Sequence, residues 1–364
     1  MREFTARIIT RHKFATALFV AAVMIALPAG ETVADSSESD SDITVAVPIL
    51  ANFSGDGQAI KIVLPLLLLR LENCDVVSIR PENLRPTLRK YRIRSMGRMS
   101  AEDAHLLQQE TGAEYILLGS VNTFETEILS RVSLSFRLVH ISTMRIVWAM
   151  SDAAVGREFS RAFGVREVLD MEDMAWRVID RIFTDFDKRR PGLPSKIYAT
   201  PKAKIAVVPF DNTTGNRFAG EVVSDMVLSG LVQKGFAVVE PGNVNELLVK
   251  NHVESRGEID LPTLAKVYSD FGVDWVVTGS VLQFSQARGE SVASQPEFEF
   301  GARLIDAATG RIVATYNDAR GGNDSETIFG MGRCWSLGQL ARKSLKGLIK
   351  KVEKENRKYV AHNN

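Results

Sequence analysis

Seven cations crowd one short stretch of the sequence: Arg80, Arg85, Arg89, Lys90, Arg92, Arg94 and Arg98, with Glu82 as the one acid among them. Guanidinium groups at that density suit multidentate contact with phosphate or carboxylate oxygens. The chemistry they offer is recognition of an anion such as lipid phosphate, wall polymer or an acidic protein. The competing reading is a merely solvated helix face. Catalytic patterns are lacking: there is no G-x-S-x-G elbow, no phosphate-binding P-loop and no C-x-x-C. His12, His105, His140, His252 and His362 show no paired spacing for a metal. Gly330-Met331-Gly332 lacks the third glycine and the preceding strand of a dinucleotide site. Neither a cofactor nor a metal is expected, and the chain reads as a binder rather than an enzyme. Asn52 and Asn212, each followed by a hydroxyl residue and a glycine before a helix, either cap a turn or present backbone N–H groups to an anion.

The whole molecule sets no strong field that could substitute for such a local patch. In 364 residues, 45 Lys and Arg face 44 Asp and Glu, a formal charge of +1, so recruitment of nucleic acid is not expected. With 45% hydrophobic and 24% charged residues the chain has the composition of a folded protein, long enough for two domains with their own cores. Cys74 and Cys334 are too few for a disulfide scaffold and read as free buried thiols. Arg2, Arg7, Arg11 and Lys13 precede an uncharged stretch from Phe14 to Leu27, and Thr32-Val33-Ala34 offers small residues at the positions a signal peptidase reads. Residues 1–34 are therefore expected to be a cleaved signal peptide, since a spanning helix needs roughly 20 apolar residues. A retained anchor is the alternative. No cysteine stands near the cleavage point, so a lipoprotein is not expected. Residues 35–42, acidic and serine-rich, read as a flexible leader.

The elements that must position the cations come in duplicate. Pro81 and Pro241, Leu88 and Leu248, Lys90 and Lys250, Gly112 and Gly272, Gly119-Ser120-Val121 and Gly279-Ser280-Val281 are identical pairs 160 residues apart. Downstream, Arg137-Leu138 and Arg145-Ile146-Val147 match Arg303-Leu304 and Arg311-Ile312-Val313 at an offset of 166. A repeat of this length means duplicated domains. Each copy alternates strand and helix signals. In the second, Lys204 to Phe210 reads as a strand, Ala219 to Gln233 as an amphipathic helix and Pro241 to Lys250 as a second helix. Asp260 or Ser100 should cap a third helix that stops at Gly272 or Gly112. Strands then flank a loop at Asp306 to Gly310, and a final helix runs from Leu337 to Lys354, as Met171 to Asp185 closes the first copy. The predicted fold class is α/β: two tandem copies of a mixed-sheet module with helices packed on the sheet. The first module spans 43–186, a proline-rich linker 187–203, the second module 204–354 and a polar tail 355–364. The run Ile62 to Leu69 is apolar on all sides, so that helix should be buried on more than one face, either by the sheet and the other copy or by another subunit. Pro65 should kink or restart it.

The segments "IAVVPFDNTTG", "FAVVEPGNVNELL", "LAKVYSDFGVDWVVTGSV" and "ARLIDAATGRIVAT" of the second copy resemble the periplasmic α/β module of CsgG-type curli secretion proteins. The same module occurs in LpoB-type activators of cell-wall synthases, in flagellar accessory proteins and, in similar form, at the N-terminus of TolB. The resemblance covers most of Lys204 to Val352 and the first copy more weakly. It implies a bacterial envelope location, periplasmic and in contact with the outer membrane through others, and a job done by protein contacts. The partner would be an envelope protein or an anionic envelope polymer; membrane association through that partner and homo-oligomerisation are both compatible with it. A secretion-channel component is the alternative, with an envelope enzyme behind it. Channel hairpins need roughly 9 to 11 alternating residues per spanning strand. Asn122 to Ser133 and Gln283 to Pro296 are too short or too polar for that.

Overall fold

The computed structural model describes residues 43–363 except 75, 95–96, 127–129, 160–169, 191–201, 254–258, 287–294 and 328–331. The segments expected to be a signal peptide and a flexible leader, and most of the expected linker, lie outside the described residues.

The first copy contains β1 (Ile43–Ala46), β2 (Ala51–Asn52), α1 (Ala59–Glu72), β3 (Val76–Ile79), α2 (Pro81–Lys90), α3 (Ala101–Thr111), β4 (Tyr115–Glu125), β5 (Arg131–His140), β6 (Arg145–Val155) and α4 (Met171–Arg189). The second repeats the order with β7 (Lys204–Val207), β8 (Asp211–Asn212), α5 (Ala219–Gln233), β9 (Ala237–Val238), α6 (Pro241–Lys250), α7 (Leu261–Phe271), β10 (Trp275–Ser285), β11 (Glu297–Asp306), β12 (Ile312–Gly321) and α8 (Leu337–Asn363). Both sheets are mixed. Their orders, β3-β1-β4-β5-β6 and β9-β7-β10-β11-β12, correspond strand for strand, with β2 on β4 and β8 on β10. Even the irregularities recur: the register slips between Val121 and Thr123 and between Val281 and Gln283, then between Leu138 and Val139 and between Leu304 and Ile305.

The local reasons for these elements repeat too. Ser100 and Asp260 each accept the backbone N–H three residues on, from Asp103 and Thr263, and so cap α3 and α7. Gly112 and Gly272 end those helices at φ 69° and 56°, the left-handed region that an L side chain enters at a cost. Gly310, at φ 73°, closes the β11–β12 loop.

Alternation along the central strands sends side chains to two faces. In the first copy Tyr115 and Leu117 pack under α1 and α4, while Ile116 and Leu118 face α2 and α3. The aromatic groups of Phe136, Trp148, Phe183 and Phe186 lock α4 down, and Arg70 of α1 pairs with Asp180 at 3.1 Å and Asp187 at 2.5 Å. The apolar helix α1 is thus covered by its own sheet and its own closing helix. Pro65 does not restart it; the helix runs through, with the proline on its exposed side.

Two expectations are corrected. Ala219 to Gln233, read as amphipathic, is buried on nearly every side because it lies between the two sheets: its polar stripe, Ser224, Asp225 and Ser229, is as buried as its apolar one. The residues read as a polar tail continue α8 to Asn363, with Glu355 and Asn356 buried. One hydrophobic cluster joins Ile116 and Val139 of the first copy to Val223, Val277 and Leu345 of the second. An isolated antiparallel bridge, Arg145 to Val239, links the sheet edges.

Candidate functional site

The seven cations separate into three groups. Arg80 precedes Pro81 at the start of α2 and reaches Glu72, while Lys90 at its end reaches Glu110 at 2.7 Å. Arg85 and Arg89 stand exposed on α2, and Arg92 and Arg94 are exposed in the turn after it. That turn is set by backbone bonds from Arg92 N–H to Arg89 O and from Ile93 N–H to Leu88 O, which put Arg92 at φ 56°. His252 repeats the conformation at φ 55°. Arg98 turns inward instead, its Nη2 lying 3.9 Å from Asp225 Oδ1 on α5.

Arg98 belongs to a buried charge network across the seam between the copies. Arg137 on β5 grips Glu240 through Nε at 2.7 Å and Nη2 at 2.6 Å, and Nη2 also donates to Gly97 O at 2.7 Å. Arg137 is 3% exposed and Glu240 0%. Burial alone would pull the Arg137 guanidinium down, but the attraction and hydrogen bonds of Glu240 outweigh it and hold it above its ordinary value. Around this pair Ser120 Oγ donates to Asp225 Oδ2 at 3.2 Å, Ser151 and Ser229 hydroxyls meet at 2.9 Å, and Ala101 N–H donates to Asn243 Oδ1 at 2.7 Å. Further along, Asp152 receives Arg342 of α8. Such a network favours one seating of the modules, because the Arg137–Glu240 pair and the hydroxyl contacts form in one arrangement, although Arg98 Nε and Nη2 and Asp225 Oδ1 make no hydrogen bond there.

A crevice of about 730 Å³ opens beside the network. Arg94 and Arg98 line it, but so do Glu102, Asp103, Glu221 and Glu246. Burial pushes the Asp103 carboxyl up, and the charges of Glu246 and Glu102 add to this. An anion entering here would meet four carboxylates against two guanidiniums. Phe53 and Phe218, 5.1 Å apart, bring the two copies together at its edge. Asn52 and Asn212 do not face an anion: each accepts from the residue two positions on, Ser54 and Thr214, and donates to the carbonyl four on, closing equivalent turns. Cys74 and Cys334 are free and buried. Among the described residues no group of three His, Cys, Asp or Glu could hold a metal, and no helix is long and apolar enough to cross a membrane.

Two features escaped the sequence reading. The Ser133, Ser135 and Arg137 alternation on β5 marks a polar strand face, whose burial no pattern within one copy discloses. The exposed Lys343, Lys346, Lys350, Lys354 and Arg357 fall at three- and four-residue spacing along α8, a stripe legible in the sequence once the helix is known to extend past Lys354.

Paired mixed sheets of one topology, joined by a polar seam, define a tandem α/β architecture. Residues 193–344, most of the second module, are similar to the family model described as "Curli production assembly/transport component CsgG". The resemblance read from the sequence is met there. No curated protein is significantly similar to the chain. Among solved structures, the PelC dodecamer from Paraburkholderia phytofirmans is 19% identical, with 40% of this chain and 85% of that one covered and a TM-score of 0.29. The lipoprotein GNA1162 from Neisseria meningitidis is 20% identical over 42% of this chain and 99% of that one, at 0.31. The C-terminal domain of LpoB from Salmonella enterica is 14% identical over 34% and 84%, at 0.25. At such scores these likenesses carry no functional weight.

Proposed function

We propose that the protein is an exported, non-catalytic accessory of the cell envelope that holds an anionic partner, a protein or an envelope polymer, against its first module. One observation carries this. Arg85, Arg89, Arg92 and Arg94 are exposed and make no ion pair among the described residues, while the sequence of the second copy has Asn245, Val249, His252 and Glu254 at the positions 160 residues on. The fold therefore does not demand the charge. The inward Arg98, the paired Arg80 and the paired Lys90 support the helix and the seam, so the working contact narrows to Arg85, Arg89 and Arg92, with Arg94 at its margin. The CsgG-type module supports the envelope setting, and the N-terminal segment supports export with cleavage after Ala34, read out by N-terminal sequencing of the exported chain.

Exposed ion pairs are individually weak, about 0 to 1 kcal/mol, so affinity should come from several acting together. Affinity capture from solubilised envelope with the wild-type chain and with Arg85→Glu, Arg89→Glu, Arg92→Glu combined tests the reading. The wild type should retain an anionic partner that elutes as salt shortens the Debye length below about 8 Å. The triple variant should lose it with an unchanged thermal midpoint. Equal capture by both chains overturns the proposal.

A further inference from the structure

The closing helices α4 and α8 occupy the same place in the repeated fold, yet their outer faces differ. On α8, Leu340, Leu345, Leu348, Ile349 and Val352 are buried, and Lys343, Lys346, Lys350, Lys354 and Arg357 are exposed on the opposite side. The cations recur every three or four residues from Lys343 to Arg357, a row of about 21 Å along the helix. None of the five has an ion-pair partner among the described residues. At the first four matched positions α4 carries Arg177, Asp180, Thr184 and Lys188, and Arg177 pairs with Asp173 at 3.1 Å. The row is a property of this helix and not of the module.

A groove of about 440 Å³ runs beside the row, between β6, α5 and α8. Its floor includes Met226, Leu345 and Ile349, and Lys346 and Lys350 stand on its rim. Two features together, an apolar floor next to unpaired ammonium groups, match a ligand that is anionic at one end and aliphatic at the other. A polysaccharide or nucleic acid offers the charge without the aliphatic part. Methionine adapts to chains of varied shape, and lysine stems lie along apolar surface while their heads stay in water.

We propose that the outer face of α8 docks onto an anionic phospholipid surface, with phosphates over Lys343, Lys346, Lys350 and Lys354 and an aliphatic segment over the groove floor. This surface is distinct from the arginines of α2 and does not depend on the reading given for them.

The test is co-sedimentation of the full exported chain with phosphatidylcholine vesicles and with the same vesicles containing phosphatidylglycerol. Binding should require phosphatidylglycerol and weaken with salt. A lysine near an anionic surface strengthens partitioning about fivefold, so Lys343→Gln, Lys346→Gln, Lys350→Gln combined should weaken binding about 100-fold. The Arg85, Arg89, Arg92 reversal should bind vesicles like the wild type. Soluble short-chain phosphatidylglycerol should displace the protein, whereas inorganic phosphate at the same ionic strength should not. All three lysines are exposed, and an unchanged thermal midpoint verifies folding; Lys350→Gln, Lys354→Gln, Arg357→Gln combined gives a second, independent set. Equal binding to both vesicle types, undiminished binding by both lysine variants, equal loss in the α2 variant, or displacement by polyglutamate or phosphate as effective as by the short-chain lipid would each overturn the proposal.

Discussion

Replacing Glu240 by Gln leaves the Arg137 guanidinium inside the seam without its carboxylate. Opposite charges about 4 Å apart attract by about 4 kcal/mol at an effective dielectric of 20, and removing one partner of a buried pair costs about 3 to 5 kcal/mol. Asp225 remains 3.9 Å from Arg137 and takes over part of the role, so the lower end, about 3 kcal/mol, is expected. With about 2 °C lost per kcal/mol in a large cooperative unit, the thermal midpoint should fall by about 6 °C. Differential scanning calorimetry reads it. Replacing both residues by Met should recover most of the loss, because no charge is then stranded. The repeat supplies an internal control: Arg303 is the counterpart of Arg137 on an exposed strand position, and Arg303→Gln should change stability by no more than about 0.5 kcal/mol. Equal, small shifts for Glu240→Gln and Arg303→Gln would refute the view that the seam holds the modules together.

Two further outcomes follow from the backbone and the thiols. Gly112→Ala and Gly272→Ala should each cost about 1 kcal/mol by urea unfolding, since a Cβ there meets open space and only the positive φ opposes it; Gly242→Ala should cost about 2 to 3 kcal/mol, since its Cβ would lie 2.1 Å from the backbone carbonyl of Met99 across the seam, and equal costs at the three sites would contradict this. Burial pushes the Cys74 thiol up to about 12, against the pull of Arg70, so the stability it contributes is complete below the unfolded-state value of about 8.5 and is lost as pH rises toward 12. Relative to Cys74→Ala, the wild type should lose about 1 to 2 kcal/mol between pH 8 and 10, and parallel pH profiles for the two chains would be the contrary result.

The repeat was readable because its punctuation is local. Prolines that start helices, capping Ser100 and Asp260, and the glycines at 112 and 272 act within a few residues, and each stands where the structure uses it. Burial of α5 was not readable, because its polar stripe is satisfied by Ser120 and Ser151 from another copy, which no periodicity within α5 encodes. The basic segment was legible as composition only. Which of its cations look outward was decided by partners far along the chain: Glu110 for Lys90, and Asp225 for Arg98.

The seam also explains why the repeat pairs rather than propagates. A head-to-tail contact between like modules generates an open array unless something stops it. Here the sheet face that receives α5 and α8 in the first copy carries Ser133, Ser135, Arg137 and Ser151, all buried. The matching face of the second copy carries Glu299, Gly301, Arg303 and Asn317, of which Glu299, Arg303 and Asn317 are exposed among the described residues. For a third module to dock there in the same way, the residue matching Glu240 would have to meet Arg303. In the first copy that residue is Arg80, and the residue matching Gly338, which presses on Ser133 and Ala153, is Glu172, set against Glu299. Both contacts would bring like charges together as water is excluded. The single bidentate pair that locks two modules in one chain is therefore replaced, at the equivalent surfaces, by two repulsions, which disfavour the docking of a further module in the same way.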